Sequence, residues 1–351
     1  MRRAFVFPLS WPVMRIAQIA PPWIAVPPPG YGGIEWIVSM LADGLAARGH
    51  DVTLFASGGS ATAARLSSTF DPAPGPTAIG DTALETLHTF AADERVAEFD
   101  VIHDHTQNMG LGFGARAPVP VVHTIHNLLH EQTIRWYRAL GERVNLVSIS
   151  DSQRAPAPDL SYVGRVYNGI DLARHPFRST KEDFLLFVGR ANPDKGVHVA
   201  VEVAKRTGRK LVMVVAIKHD TERAYWEQQV VPTLSGAEEV LGEISLEEKA
   251  DLMARTRALL FPISWPEPFG LVMAEANACG TPVLAFSAGA VPEVIADGEN
   301  GFVVRDVEAM CEAVERCGDI DPGACRRRVE RRFSAEAMVA GYEAVYERVL
   351  A

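Results

Sequence analysis

The chain has 351 residues, 48% hydrophobic and 22% charged, with a net charge of −10 at neutral pH. That length exceeds what one hydrophobic core usually serves, so two domains are expected. The acidic balance argues against a general affinity for nucleic acid or anionic membrane. Four cysteines (Cys279, Cys311, Cys317, Cys325) lack Cys-x-x-Cys spacing, offer no zinc or disulfide framework, and read as reduced, cytoplasmic thiols. No run of about eighteen apolar residues offers a transmembrane helix.

Residues 1–13 imitate a short signal peptide, but Arg15 interrupts the apolar run and no small-x-small site follows, so they read as an extension. Residues 15–20 are the first expected strand. A proline-rich loop then leads to Gly30-Tyr31-Gly32-Gly33, and Ile34, Ile37, Val38, Leu41 and Leu45 recur at helical spacing as far as Arg48-Gly49. Residues 51–56 complete a βαβ unit. Its turn is not Gly-x-Gly-x-x-Gly, because Glu35 stands at the third glycine, so a dinucleotide fold gains little support. Residues 58–80, rich in Gly, Ser, Ala, Thr and Pro, are expected as a mobile loop, with a helix near 83–97. Residues 99–105 end in His103-Asp104-His105 at a strand's carboxyl end, where open α/β sheets bind ligands. Alternation turns His103 and His105 one way and Asp104 the other, which argues against a metal site. Residues 118–127 repeat the pattern and end in His126-Asn127, and 146–152 form a further strand.

A second unit opens at residues 183–190, an apolar strand ending in Gly189-Arg190, followed by Pro193-Asp194-Lys195-Gly196 and a helix over 197–207. Arg190 and Lys195 bracket that loop. Two fixed cations suit a diphosphate, one as a planar fork and one as a point charge. Residues 245–248 form a capping box. Residues 258–262 are a buried strand that stops at Pro262, and a helix is expected from near Pro268 to Cys279-Gly280. This puts the amides of Phe269, Gly270 and Leu271 at a helix N-terminus, which favours a phosphate, and Gly270 permits close approach. Glu267 precedes the helix and Glu275 lies about two turns along it, a separation suited to two hydroxyl-bearing parts of one extended ligand. Asp319-Ile320-Asp321 reads as a turn and helix cap. Met338, Tyr342, Val345, Tyr346 and Leu350 mark a closing amphipathic helix.

Glu267 and Glu275, with seven residues between them inside Glu-Pro-Phe-Gly-Leu, resemble the paired-glutamate motif of retaining glycosyltransferases of family 4. The resemblance covers about residues 14–350 and is most specific at 184–196 and 261–304. It implies an α/β class with the GT-B fold, two Rossmann-like αβα domains facing a central cleft. The extension over 1–13 would precede an acceptor-side domain over 14–172. A nucleotide-sugar-binding domain over 173–335 would follow, then a helix over 336–351 crossing back. By the same resemblance, Glu267 touches the donor hexose and Glu275 the ribose, while Arg190 and Lys195 neutralise the leaving diphosphate. Gly32 and Gly33 close over the phosphates, and Gly189, Ile244, Pro268, Phe269, Gly270 and Leu271 line the donor site. His126 matches the histidine beside the transferred sugar, with His105 as the alternative. Tyr31 and His105 would lie on the acceptor side, where Glu35 and Trp36 are also candidates.

The activity implied is transfer of a hexose, most commonly from a UDP-hexose, to a hydroxyl acceptor with retention and with no metal or cofactor. An epimerase or phosphorylase of the same fold, or a non-catalytic nucleotide-sugar-binding protein, are the alternatives. The complete set Arg190, Lys195, Glu267 and Glu275 argues against decay to the last of these.

Overall fold

The computed structural model describes residues 12–30, 32–107 and 110–351. Seven strands, β1 (Arg15–Ile19), β2 (Asp51–Ala56), β3 (Arg65–Ser68), β4 (Val101–Asp104), β5 (Val121–Ile125), β6 (Asn145–Ser148) and β7 (Tyr162–Arg165), form one parallel sheet in the order β3-β2-β1-β4-β5-β6-β7. Six more, β8 (Phe184–Arg190), β9 (Lys210–Ala216), β10 (Glu239–Leu241), β11 (Ala258–Phe261), β12 (Val283–Phe286) and β13 (Gly301–Val304), form a second in the order β10-β9-β8-β11-β12-β13. Each order reverses beside its first strand, between β1 and β4 and between β8 and β11. At such a switch point the loops leaving the strand ends diverge and open a crevice for a ligand.

In the second sheet the central strands are continuous apolar runs because helices cover both faces. Leu186, Val212, Val214, Leu259 and Phe261 feed one core layer, whereas Leu185, Phe187, Leu211, Met213 and Leu260 feed the opposite one. That is the period of two expected of strands.

Three sequence expectations change. The stretch expected as a mobile loop over 58–80 contains β3, which pairs with β2 at the sheet edge while Leu66 stays 38% exposed. Beyond the strand expected near 146–152, the sheet gains β7, unforeseen from sequence, which pairs with β6. The helix expected from near Pro268 runs over Leu271–Ala278.

The chain passes between the domains twice, and the two crossings bond to each other. Ile170 N donates to Phe333 O (2.7 Å), and Ala335 N donates to Ile170 O (3.0 Å). A Cβ on Gly169 would lie 2.9 Å from Ala335 Cα, so only glycine permits this approach. Beyond the crossing, the helix Ala335–Leu350 buries Met338, Val339, Tyr342, Val345 and Tyr346 with Ile16, Val38 and Leu41 of the first domain.

Candidate active site

Both switch points deliver candidate residues. β8 carries Gly189 and Arg190 to its carboxyl end, where Asn192 Oδ1 accepts from the amides of Asp194 (2.8 Å) and Lys195 (3.2 Å) and fixes the turn. Gly196 has φ +74°, and a Cβ there would sit 2.2 Å from Pro262 O, so this loop lies directly against the one leaving β11. Ser264 N donates to Asp194 O (2.9 Å) and seals the contact. Lys195 Nζ thereby reaches Glu267 Oε2 at 2.6 Å, the oxygen that also accepts from Trp265 Nε1 at 3.0 Å. The ammonium lies 4.8 Å from the centre of the Trp265 ring. An ammonium has three N–H donors, so the pair with Glu267 leaves two for an anion. From behind, Ala290 N donates to Glu267 O (2.9 Å), and a Cβ on Gly289 would lie 2.3 Å from Glu267 N.

Arg190 is aimed by a residue that sequence reading missed. Its Nε donates to Glu222 Oε1 at 2.5 Å, and Glu222 Oε2 accepts from the amides of Lys218 (2.7 Å) and His219 (3.3 Å). Glu275 likewise has an unforeseen partner, accepting from Lys249 Nζ through both oxygens at 2.9 and 2.8 Å. Burial pushes the Glu275 carboxyl up, but Lys249 and His175 outweigh it and hold the group below its ordinary value. Two carboxylate oxygens have about four lone-pair sites between them, so hydroxyl donors can still bind.

The helix begins at Leu271 because Gly270, its N-cap, has φ 81° and breaks the helical path. The Phe269 amide therefore belongs to the entering loop, and Leu271 and Val272 head the helix. Pro268 and Phe269 are buried. The Phe269 ring packs 5.7 Å from Phe333 and 6.0 Å from Tyr167, so it offers a ligand only its backbone. Ile244, between β10 and the helix Leu246–Arg255, packs against the same core, and the Ser245–Glu248 capping box forms as expected.

From the first domain, Gly33 starts the helix Gly33–Ala47, and a Cβ on it would lie 3.2 Å from Leu271 Cδ1. Two helix N-termini, one from each domain, therefore meet across the cleft. Gly32 caps the first helix, with no room for a Cβ against Glu35, Pro28 and Ile24. Burial raises the pKa of Glu35, opposed by a hydrogen bond from its own amide. Tyr31 lies outside the described residues. Trp36 is engaged by the interdomain connection: the Arg174 guanidinium stacks 4.3 Å over its ring and pairs with Glu247 at 2.9 Å.

His105 and His126, read from sequence as alternatives, form one unit: His105 Nδ1 lies 3.0 Å from His126 Nε2. His105 Nε2 meets Gln18 Oε1 at 2.9 Å, and Gln18 Nε2 donates to Tyr346 OH at 2.8 Å. His103 stacks on His105 with ring centres 3.9 Å apart, while Asp104 turns away to His123 Nδ1 (2.7 Å). Burial pushes His126 down to about 3, with His123 adding and Asp104 opposing, and drives His103 and His105 well below their ordinary values.

Cations from a loop, helix ends from both domains, and separated carboxylates make a cleft fitted to a diphosphate flanked by hydroxyl-bearing groups. Residues 171–321 match the family described as glycosyl transferases group 1, and residues 31–174 match glycosyltransferase family 4. Glycogen synthase of Mycobacterium tuberculosis is 28% identical over 380 residues, covering 90% of this chain and 88% of that protein. D-inositol 3-phosphate glycosyltransferase of Frankia alni is 28% identical, covering 81% and 85% respectively. The crystal structure of AviGT4, a glycosyltransferase involved in avilamycin A biosynthesis, superposes with a TM-score of 0.73 at 27% identity, covering 96% of this chain and 98% of that one. No helix among the described residues is long and apolar enough to cross a membrane. Two matched family regions spanning both domains, and relatives aligned along most of their length, show that the chain belongs to the family 4 glycosyltransferases and has the GT-B fold.

Proposed function

We propose that the protein transfers a hexose from a nucleoside diphosphate sugar, with UDP as the nucleotide, to a hydroxyl acceptor with retention of anomeric configuration and no divalent metal. The observation that carries this reading is the Lys195–Glu267 pair, at 2.6 Å, in the cleft where the Gly33 and Leu271 helix ends meet. As the bond from the anomeric carbon to the leaving phosphate oxygen stretches, negative charge grows on the diphosphate and positive charge on the sugar ring. Preorganised donors stabilise such charge without reorganising. Arg190, Lys195 and the Phe269–Leu271 amides take the diphosphate, Glu267 orients the ring, Glu275 accepts from the ribose, and His126 meets the sugar. No side chain has to form a covalent bond. Closing the cleft around the crossings at 170 and 334 excludes water. Cytoplasmic residence belongs to the same reading, on the four free cysteines.

The test is the configuration of the product, read by NMR from the anomeric coupling. Retention supports the reading, and inversion refutes it. Conversion of donor without acceptor would favour an epimerase, and a requirement for free phosphate a phosphorylase.

A further inference from the structure

A buried hydrogen-bond chain links the C-terminal helix to His126, just beyond the carboxyl end of β5. It runs from Tyr342 OH to Thr124 Oγ1 (2.9 Å), from Thr124 Oγ1 to His103 Nε2 (2.8 Å), and from His103 Nδ1 to Tyr346 OH (2.7 Å). It continues from Tyr346 OH to Gln18 Nε2 (2.8 Å), from Gln18 Oε1 to His105 Nε2 (2.9 Å), and from His105 Nδ1 to His126 Nε2 (3.0 Å). Gln18, Thr124, His103, His105, Tyr342 and Tyr346 are all buried, and His126 is the partly exposed end.

A neutral imidazole carries one N–H, and every contact needs one donor and one acceptor. With the Gln18 amide as placed, Tyr346 donates to His103 Nδ1, His103 donates from Nε2 to Thr124, His105 donates from Nε2 to Gln18, and His126 donates from Nε2 to His105. The oxygen and nitrogen of the amide exchange by a half turn. After that turn every bond reverses, and all three histidines carry the proton on Nδ1. Any other assignment sets two protons or two lone pairs face to face, or has Tyr346 accept from both Gln18 and His103 and leaves its buried hydroxyl proton without an acceptor along the chain, which is unfavourable. Only two orders survive, and in each the three histidines share one tautomer.

We propose that Gln18 is a positioning residue that couples the tautomer of His126 to the tyrosine hydroxyls of the C-terminal helix. His126 then offers Nδ1 as an acceptor in one order and as a donor in the other. This deepens the proposed function, because it rests on His126 meeting a sugar hydroxyl. The tautomers are nevertheless read without substrate, so a protein that failed to transfer sugar would still report on the coupling.

The experiment is long-range proton–nitrogen correlation on the full chain labelled with 15N-histidine. In the wild type, His103, His105 and His126 are expected to be neutral at pH 7 with equal tautomer populations. Unequal populations, or an imidazolium among them, would overturn the coupling. In Gln18→Leu the populations of His126 and His103 are expected to separate, with kcat down about 10-fold through misplacement of a contact group and donor KM within about twofold. Unchanged populations or an unchanged kcat in the folded variant would overturn the role of Gln18. Should Gln18→Leu not fold, Tyr346→Phe cuts the chain on the other side of Gln18. The same separation of His103 from His126 is then expected, and its absence counts against the proposal.

Discussion

Lys195→Ala removes the cation paired with Glu267 at 2.6 Å. Two unit charges about 4 Å apart at an effective dielectric of about 20 interact by about 4 kcal/mol. The Lys195 side chain is 21% exposed, so solvent screening trims this to about 2–3 kcal/mol. At about 1.4 kcal/mol per decade, turnover is expected to fall on the order of 10²-fold. A second effect must be separated, because among the described residues the variant leaves Trp265 Nε1 as the side-chain donor to the Glu267 carboxylate. An uncompensated carboxylate would repel the anionic donor. The double variant Lys195→Ala/Glu267→Gln decides between them, since a double-mutant cycle isolates the pairwise contribution. If Lys195 serves the diphosphate, the double variant stays at least as slow as the single one. If it only neutralises Glu267, the double variant recovers most of the loss. The assay is steady-state nucleotide release, with folding checked by circular dichroism. A kcat for Lys195→Ala within twofold of wild type would refute the reasoning.

Glu275→Ala is expected to weaken nucleoside diphosphate binding at least tenfold by calorimetry, about the worth of a hydrogen bond to a charged group; unchanged affinity would exclude its ribose role. Lys249→Ala should give a stability deficit that depends on pH. In the wild type the Glu275 pKa is depressed, so its contribution is present above about pH 4.3 and is lost as pH falls through the folded value. Without Lys249, burial prevails and raises that pKa, so the Tm deficit should shrink between pH 7 and pH 4.5; a constant deficit would contradict this. Gly289→Ala forces a Cβ to 2.3 Å from Glu267 N at φ +55°, and should cost at least about 2 kcal/mol and lower Tm by several degrees. An unchanged Tm would mean that the loop gives way. Arg190→Lys keeps the charge but loses the planar fork, and should lower kcat by about tenfold, which matching kinetics would disprove.

How much of this was legible depended on where each signal resides. β8 and β11 could be read because central parallel strands are buried on both faces and write themselves as apolar runs closed by Gly-Arg and by Pro262. Gly32 and Gly270 mark positive-φ positions crowded by side chains, which favour glycine, whereas Gly33 is only tight against Leu271 Cδ1. β3 and β7 are edge strands with one neighbour each; Arg65-Leu66-Ser67-Ser68 has no apolar run to betray it. Glu222 and Lys249 were hidden because folding alone joins Arg190 to Glu222 and Glu275 to Lys249. Tyr342 and Tyr346 read as the apolar face of an amphipathic helix, which they are, but their hydroxyls also complete the chain to Gln18 and His103. His105 and His126 could not be ranked from sequence because folding joins them into one hydrogen-bonded pair.

The central claim is that Lys195, Arg190 and the meeting helix ends serve a nucleoside diphosphate leaving group without metal. The most direct measurement is to incubate the purified protein with EDTA and a panel of nucleoside diphosphate sugars, following nucleotide release by 31P NMR. Release or tight binding with one donor, UDP-linked, and loss of release in Lys195→Ala is the expected result. Neither binding nor release with any donor, or release that appears only when magnesium or manganese replaces EDTA, would contradict the account.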